Sequence, residues 1–101
     1  MTNIDFLKMR EETTRARFEM CDKKSVSYTR GSDDRLNNFR GLAEALGENE
    51  RAILAVYMGK HWLALMHWLK TGEDSSEGIE STLDDIQNYA DLARGMWRDS
   101  Q

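Results

Sequence analysis

The sequence predicts an all-α protein, a four-helix bundle with a buried third helix, and three observations carry that prediction. Residues 50 to 70, ERAILAVYMGKHWLALMHWLK, are apolar almost all round, which is the composition of a helix enclosed by others. Apolar residues also recur at helical spacing over residues 3 to 24 and about 79 to 98. No proline occurs among the 101 residues, so nothing in the chain forbids long helices. At this length the expectation is one domain, residues 1 to 101, whose core has little to spare. A homo-oligomer, a dimer or larger, would use the surplus Trp and Met surface.

The first helix is expected over residues 3 to 24. Thr2 and Asp5 form a capping-box-like start, with Asp replacing the preferred Glu or Gln. Ile4, Leu7, Thr14, Phe18 and Cys21 mark its inner stripe, and Arg10, Glu11, Glu12, Arg15 and Glu19 pair opposite charges three or four apart on a solvated face. Ser25 to Gly31 then reads as an exposed polar loop, rich in turn-forming residues. Lys23, Lys24, Arg30, Arg35 and Arg40 gather around it as the basic concentration of an acidic chain, either to bind an anion or to solvate the junction beside Asp22, Asp33 and Asp34.

Ser32, Asp33 or Asp34 is placed to cap a second helix that ends near Leu46, with Gly47 as its stop. Leu36, Phe39, Ala43 and Leu46 form its inner stripe. Asn37 and Asn38 are poor residues for a helix interior, which implies a specific partner for one of them. Glu48, Asn49 and Glu50 give the third helix an acidic start. Its polar interruptions, Lys60, His61 and His67, need partners or a pocket, because an unpaired buried polar group costs about 1 to 3 kcal/mol. His61 and His67 stand six apart, about 240° around a helix, so they cannot chelate one metal ion. A single histidine on an apolar helix is more often a hydrogen-bonded core residue than a catalyst, and Trp62 and Trp68 read as core or interface.

KTGEDSSEG, residues 70 to 78, is a hydrophilic loop before the last helix. That helix lines up Ile79, Leu83, Ile86, Ala90, Ala93 and Trp97. Asp84, Asp85, Asn88 and Asp91 lie beside the stripe, either as an acidic surface or as oxygen donors for a hard cation such as Mg²⁺. Glycine-rich phosphate loops, CxxC pairs and the HExxH motif are missing from the sequence. The net charge of −4 opposes binding to long nucleic acid, whose affinity comes from neutralising phosphates. The third helix is too interrupted for a membrane span, and the chain opens with no signal-like segment, so a cytoplasmic protein is expected.

Taken together, DDRLNNF at 33 to 39, YMGKH at 57 to 61 and DIQNY at 85 to 89 resemble a small phage-encoded family, the nucleotide-modification-associated domain of tailed phages. The resemblance covers most of the chain and falls on Asp34, Leu36, Asn38, Phe39, Lys60, His61, Asp85, Asn88 and Tyr89. At the family's Lys-x-x-Asp-Tyr element this chain keeps Lys24 and Tyr28 but has Ser27 in place of Asp. The resemblance implies a nucleotide or modified nucleotide as ligand in the cytoplasm of an infected host, with hydrolysis as a further expectation. Lys60, with Lys24 or Arg35, would neutralise phosphate, and His61 would donate a hydrogen bond or shuttle a proton. Asp85 and Asn88 would orient Lys60 or a metal-bound water, Asn38 would touch the ligand, and Tyr28 or Tyr89 would stack on a base. The outline is also similar to all-α nucleoside triphosphate pyrophosphatases, but their paired-Glu motif is missing. The alternative is a non-enzymatic anti-defence protein that binds a host immune component or sequesters a nucleotide signal. A third is an accessory subunit whose polar pairs are structural.

Overall fold

The computed structural model describes residues 1–29 and 33–101, and of residues 24–29 the backbone alone. The described residues are all-α, in four helices: α1 (Asn3–Thr29), α2 (Asn37–Leu46), α3 (Glu50–Thr71) and α4 (Ile79–Asp99). They fall into two compact units, Met1–Arg35 and Leu36–Gln101. None of the helices is long and apolar enough to cross a membrane.

The first unit is α1 with the residues up to Arg35. The Asp5 amide donates to Thr2 Oγ1 at 3.1 Å, so the expected cap forms. Arg15 pairs with Glu11 at 3.3 Å across one turn on the exposed face. The helix continues through Thr29, so the part of the expected loop from Ser25 to Thr29 is helical. No glycine or proline stands between Asp22 and Thr29, and serine and threonine each cost a helix only a few tenths of a kcal/mol against better formers. The inner stripe also differs from expectation. Ile4, Leu7 and Phe18 are exposed, while Arg17 is buried and Thr13, Thr14 and Cys21 are half-buried.

In the second unit α2, α3 and α4 form a helical bundle around one core. Leu36, Phe39 and Ala43 meet Ile53 and Leu54 of α3 and Met96 of α4, with Leu42, Tyr89, Leu92 and Ala93 packed against them. The Phe39 and Tyr57 rings meet edge to face, 5.8 Å between centroids. Leu46, the fourth residue of the expected α2 stripe, is exposed.

The turns explain the topology. Gly47 ends α2 at φ 67°, where its amide reaches back to Ala43 and Glu44 carbonyls. Asn49 follows at once as the cap of α3, its side chain accepting from the Ala52 amide at 2.9 Å. Gly72 closes α3 at φ 74° and Gly78 precedes α4 at φ 89°, conformations that a side chain disfavours. Asp33 and Asp34 lie before the N-cap position of α2. That position is Leu36, with no side-chain hydrogen bond. Asn37 and Asn38 consequently occupy its first turn, where asparagine is better tolerated than in a helix interior.

Arg40 ties the three helices together at one end of the bundle. Its Nε lies 3.0 Å from Glu50 in the first turn of α3, and its other arm 2.9 Å from Asp99 in the last turn of α4. That cross-link fits an antiparallel α3–α4 hairpin, whose start and end lie side by side.

Two expectations change here. Within the second unit α3 is not enclosed: Ile53 and Leu54 are buried, but Val56, Leu63 and Leu69 are largely exposed. The inward stripe of α4 runs through Thr82, Asp85, Ile86, Tyr89, Ala93 and Met96, while Trp97 is 66% exposed. A stripe drawn through the most apolar residues is rotated from the one that packs, because Thr82 and Tyr89 carry enough apolar surface to face a partner helix.

This assignment separates two substitutions. Phe39→Ala should lower unfolding free energy by about 3 kcal/mol or more, as large core truncations do. Trp97→Ala should cost less than about 1 kcal/mol, in keeping with its exposure. Urea denaturation followed by circular dichroism measures both, and the reverse order would refute the stripe.

Candidate functional site

The polar residues expected on α3 and α4 meet in one place within the second unit. His61 sits in the middle of α3 on the side turned toward α4, and Asp85 lies nearly two turns into α4. His61 Nδ1 is 3.4 Å from Asp85 Oδ2, with the histidine side chain 11% exposed and the carboxylate 38%. One turn further along α4, the Tyr89 ring lies against the imidazole, 5.4 Å between centroids and tilted by 35°. The i, i+4 spacing of Asp85 and Tyr89 puts a carboxylate and an aromatic ring on the same side of α4, both facing one imidazole.

This arrangement fixes what His61 can do. A carboxylate at Nδ1 orients the ring and favours the tautomer with its proton there, which leaves Nε2 to turn toward a ligand. The tyrosine ring covers one side of the imidazole and limits its rotation. The result is a histidine held in place from two directions on a partly open helix seam.

The other expected residues are distributed differently. Lys60 follows the helix around by one residue and leaves the cluster. Its ammonium lies 3.3 Å from Glu77, and both side chains are more than half exposed. Asp85 therefore orients His61 and not Lys60. Glu77 is the partner that sequence reasoning missed, since it lay in a hydrophilic loop with no periodicity to place it. Asn88 is half-buried on α4, one turn from Asp85, and Asn38 is half-buried in the first turn of α2. Arg35 belongs to the first unit, where it lies 3.5 Å from Asp22 and donates to Cys21 Sγ at 3.7 Å. The backbone of Lys24 and Tyr28 lies in α1, but their side chains are outside the described residues, as are Arg30, Gly31 and Ser32 altogether. Of the expected basic concentration, Arg35 and Arg40 are each engaged with carboxylates.

For a metal ion, the described residues offer no group of three or more His, Cys, Asp or Glu side chains arranged to hold one. A Mg²⁺ ion at Asp85 would need ligand phosphate oxygens and water to complete its shell, as Mg²⁺ commonly does.

In comparisons with known proteins, no family model, no curated protein and no solved structure matches the chain.

The His61–Asp85 and Lys60–Glu77 pairs of α3 make a direct contrast. A double-mutant cycle on His61→Gln and Asp85→Asn should return a coupling of about 0.5 to 1 kcal/mol, because the pair is partly shielded. The same cycle on Lys60→Gln and Glu77→Gln should return about 0.3 kcal/mol or less, and should vanish in high salt. Equal couplings would remove the distinction between the two pairs.

Proposed function

We propose that this protein binds a nucleotide or modified nucleotide at the α3–α4 seam, as a small phage-type protein acting in the host cytoplasm. The observation that carries the proposal is the His61–Asp85–Tyr89 cluster. It joins an imidazole and a carboxylate with an aromatic ring, the groups that recognise phosphate oxygens and a base. The resemblance of DDRLNNF, YMGKH and DIQNY to the phage nucleotide-modification-associated domain supplies the ligand class.

In this reading His61 takes up a solvent proton at Nε2 when the phosphate arrives and donates it in a hydrogen bond to a phosphate oxygen, or passes it on in hydrolysis, while Asp85 at Nδ1 holds its orientation. Lys60 exchanges Glu77 for ligand phosphate, an exchange that costs little because the exposed pair is weak. Tyr89 offers a ring edge or face to the base, and Asn88 a side-chain amide one turn from Asp85. Mg²⁺, if the activity is hydrolytic, would be shared between Asp85 and the phosphates. A homo-oligomer in which a second chain covers α3 belongs to the same proposal, since Val56, Leu63 and Leu69 are exposed.

The exposed apolar side chains also favour a second reading, the anti-defence protein that occupies a host immune component. The two readings differ in what stabilises the protein. For nucleotide binding, thermal-shift measurements on mononucleotides, triphosphates and cyclic dinucleotides, with and without Mg²⁺, should find a ligand that raises the melting temperature. Saturation at 100 times Kd corresponds to about 2.7 kcal/mol. His61→Gln and Asp85→Asn should each abolish the shift while leaving helicity unchanged. If none of these compounds shifts the melting curve, or the shift survives both substitutions, the nucleotide site is not at this cluster. Turnover of the bound nucleotide distinguishes an enzyme from a sponge.

A further inference from the structure

We propose that a second copy of this chain covers α3, and that the two α3 helices pack antiparallel about a two-fold axis between Gly59 and Leu63, on the face opposite His61. The inference rests on the oligomeric part of the preceding proposal and specifies its surface and orientation. It is independent of the ligand.

Opposite the face that buries Ile53 and Leu54, α3 carries Ala52, Val56, Gly59, Leu63 and Met66. These residues follow one another at alternating steps of four and three, the repeat that keeps a seam on one side of a helix. Lys70 continues the same register, so the row is about 27 Å long. Val56 is 76% exposed, Leu63 70% and Met66 37%. The flank on one side of the seam is apolar, with Ala55, Trp62 (49% exposed) and Leu69 (59%). The five larger side chains leave on the order of 600 Å² of apolar surface open, near the roughly 800 Å² that each partner buries in a standard interface. Uncovered apolar area of this extent is at the upper end of what monomers carry.

Three features select a second α3 as the occupant. Gly59 sits mid-helix, and a Cβ built on it would meet nothing within 4 Å, so packing within the chain does not account for its small size. In an antiparallel pair centred between Gly59 and Leu63, the Leu63 side chain of each copy lies over the Gly59 of the other, and Val56 lies beside Met66. A large residue thus meets a small one across the axis, whereas a parallel pair would set Gly59 on Gly59 and Leu63 on Leu63. The flanks point the same way. An antiparallel two-fold brings each flank against its own counterpart, so Trp62 and Leu69 are covered by apolar neighbours. A parallel two-fold would bring that apolar flank against the opposite one, which carries Lys60 and His67. The Lys60 flank tolerates its own counterpart because both polar side chains have carboxylate partners, Lys60 with Glu77 at 3.3 Å and His67 with Glu73 at 3.5 Å.

The test is sedimentation velocity on the full chain at about 100 µM, a concentration that reports any Kd in the micromolar range. A species of twice the 11.7 kDa chain mass is expected. Leu63→Glu and, separately, Gly59→Leu should each weaken dimerisation at least about tenfold. Gly59→Leu is harmless to a monomer because the space above the glycine is open, and circular dichroism confirms that both variants keep their helicity. Orientation is read by spin labels at exposed Arg51→Cys in a Cys21→Ser chain. Two labels twenty residues apart along antiparallel axes lie about 30 Å from one another, and about 10 Å apart in a parallel pair. A monomer at this concentration overturns both this surface and the oligomeric reading. A dimer indifferent to Leu63→Glu and Gly59→Leu, or one with the short label distance, overturns this surface or its orientation and leaves oligomerisation itself intact.

Discussion

Packing of α2 and α4 on one face of α3 is the constraint on which the second unit depends. Ile53 and Leu54 are the buried residues of α3, and they share one core cluster with Leu36 at the N-cap of α2, Phe39 and Ala43 of α2, and Met96 of α4. Apolar burial of this kind is non-directional and grows with area, so it fixes which faces meet but not the details between them. The details come from Gly47 and Asn49, which reverse the chain within three residues, and from Arg40, which joins α2 to the start of α3 and the end of α4. These polar links are individually weak at their exposure, and they act as register marks on a core that apolar packing stabilises.

The same packing creates the polar cluster. Turning Thr82, Tyr89 and Met96 toward α3 carries Asp85 with them, since all four lie on one stripe of α4. Asp85 then arrives opposite His61, and the imidazole gains a partner that its half-enclosed position requires. Lys60, one residue earlier, is directed away by about 100° and pairs with Glu77 near solvent. A Lys-His pair in sequence therefore becomes two separate electrostatic environments. One is shielded and oriented, the other exposed and exchangeable.

Several of these features are legible in the chain itself. The helix type, the existence of all four helices, the Gly47 stop and the Thr2 cap follow from local chemistry, which acts over three or four residues and leaves its mark at fixed spacing. His61 stands out for a related reason: a polar residue on an apolar helix needs a partner. Less legible was the extent of α1, because Ser25, Ser27 and Thr29 are only weakly unfavourable in a helix. The stripe of α4 was misplaced for another reason. Tyr89 and Thr82 have both apolar and polar surface, so their inward placement depends on the neighbour and not on their own hydropathy. Glu77 could not be paired from sequence, since a loop carries no periodicity.

By itself, then, the order of residues determined an all-α chain with helices in these four places and an acidic, proline-free composition, because hydrogen bonding along a helix and its caps are local. Tertiary packing decided which side of each helix is enclosed, that His61 meets Asp85 and Tyr89 while Lys60 meets Glu77, and that much of the apolar surface of α3 is left open. Those outcomes depend on distances between residues far apart in the chain, and a single helix contains no information about which of its faces its neighbours will cover.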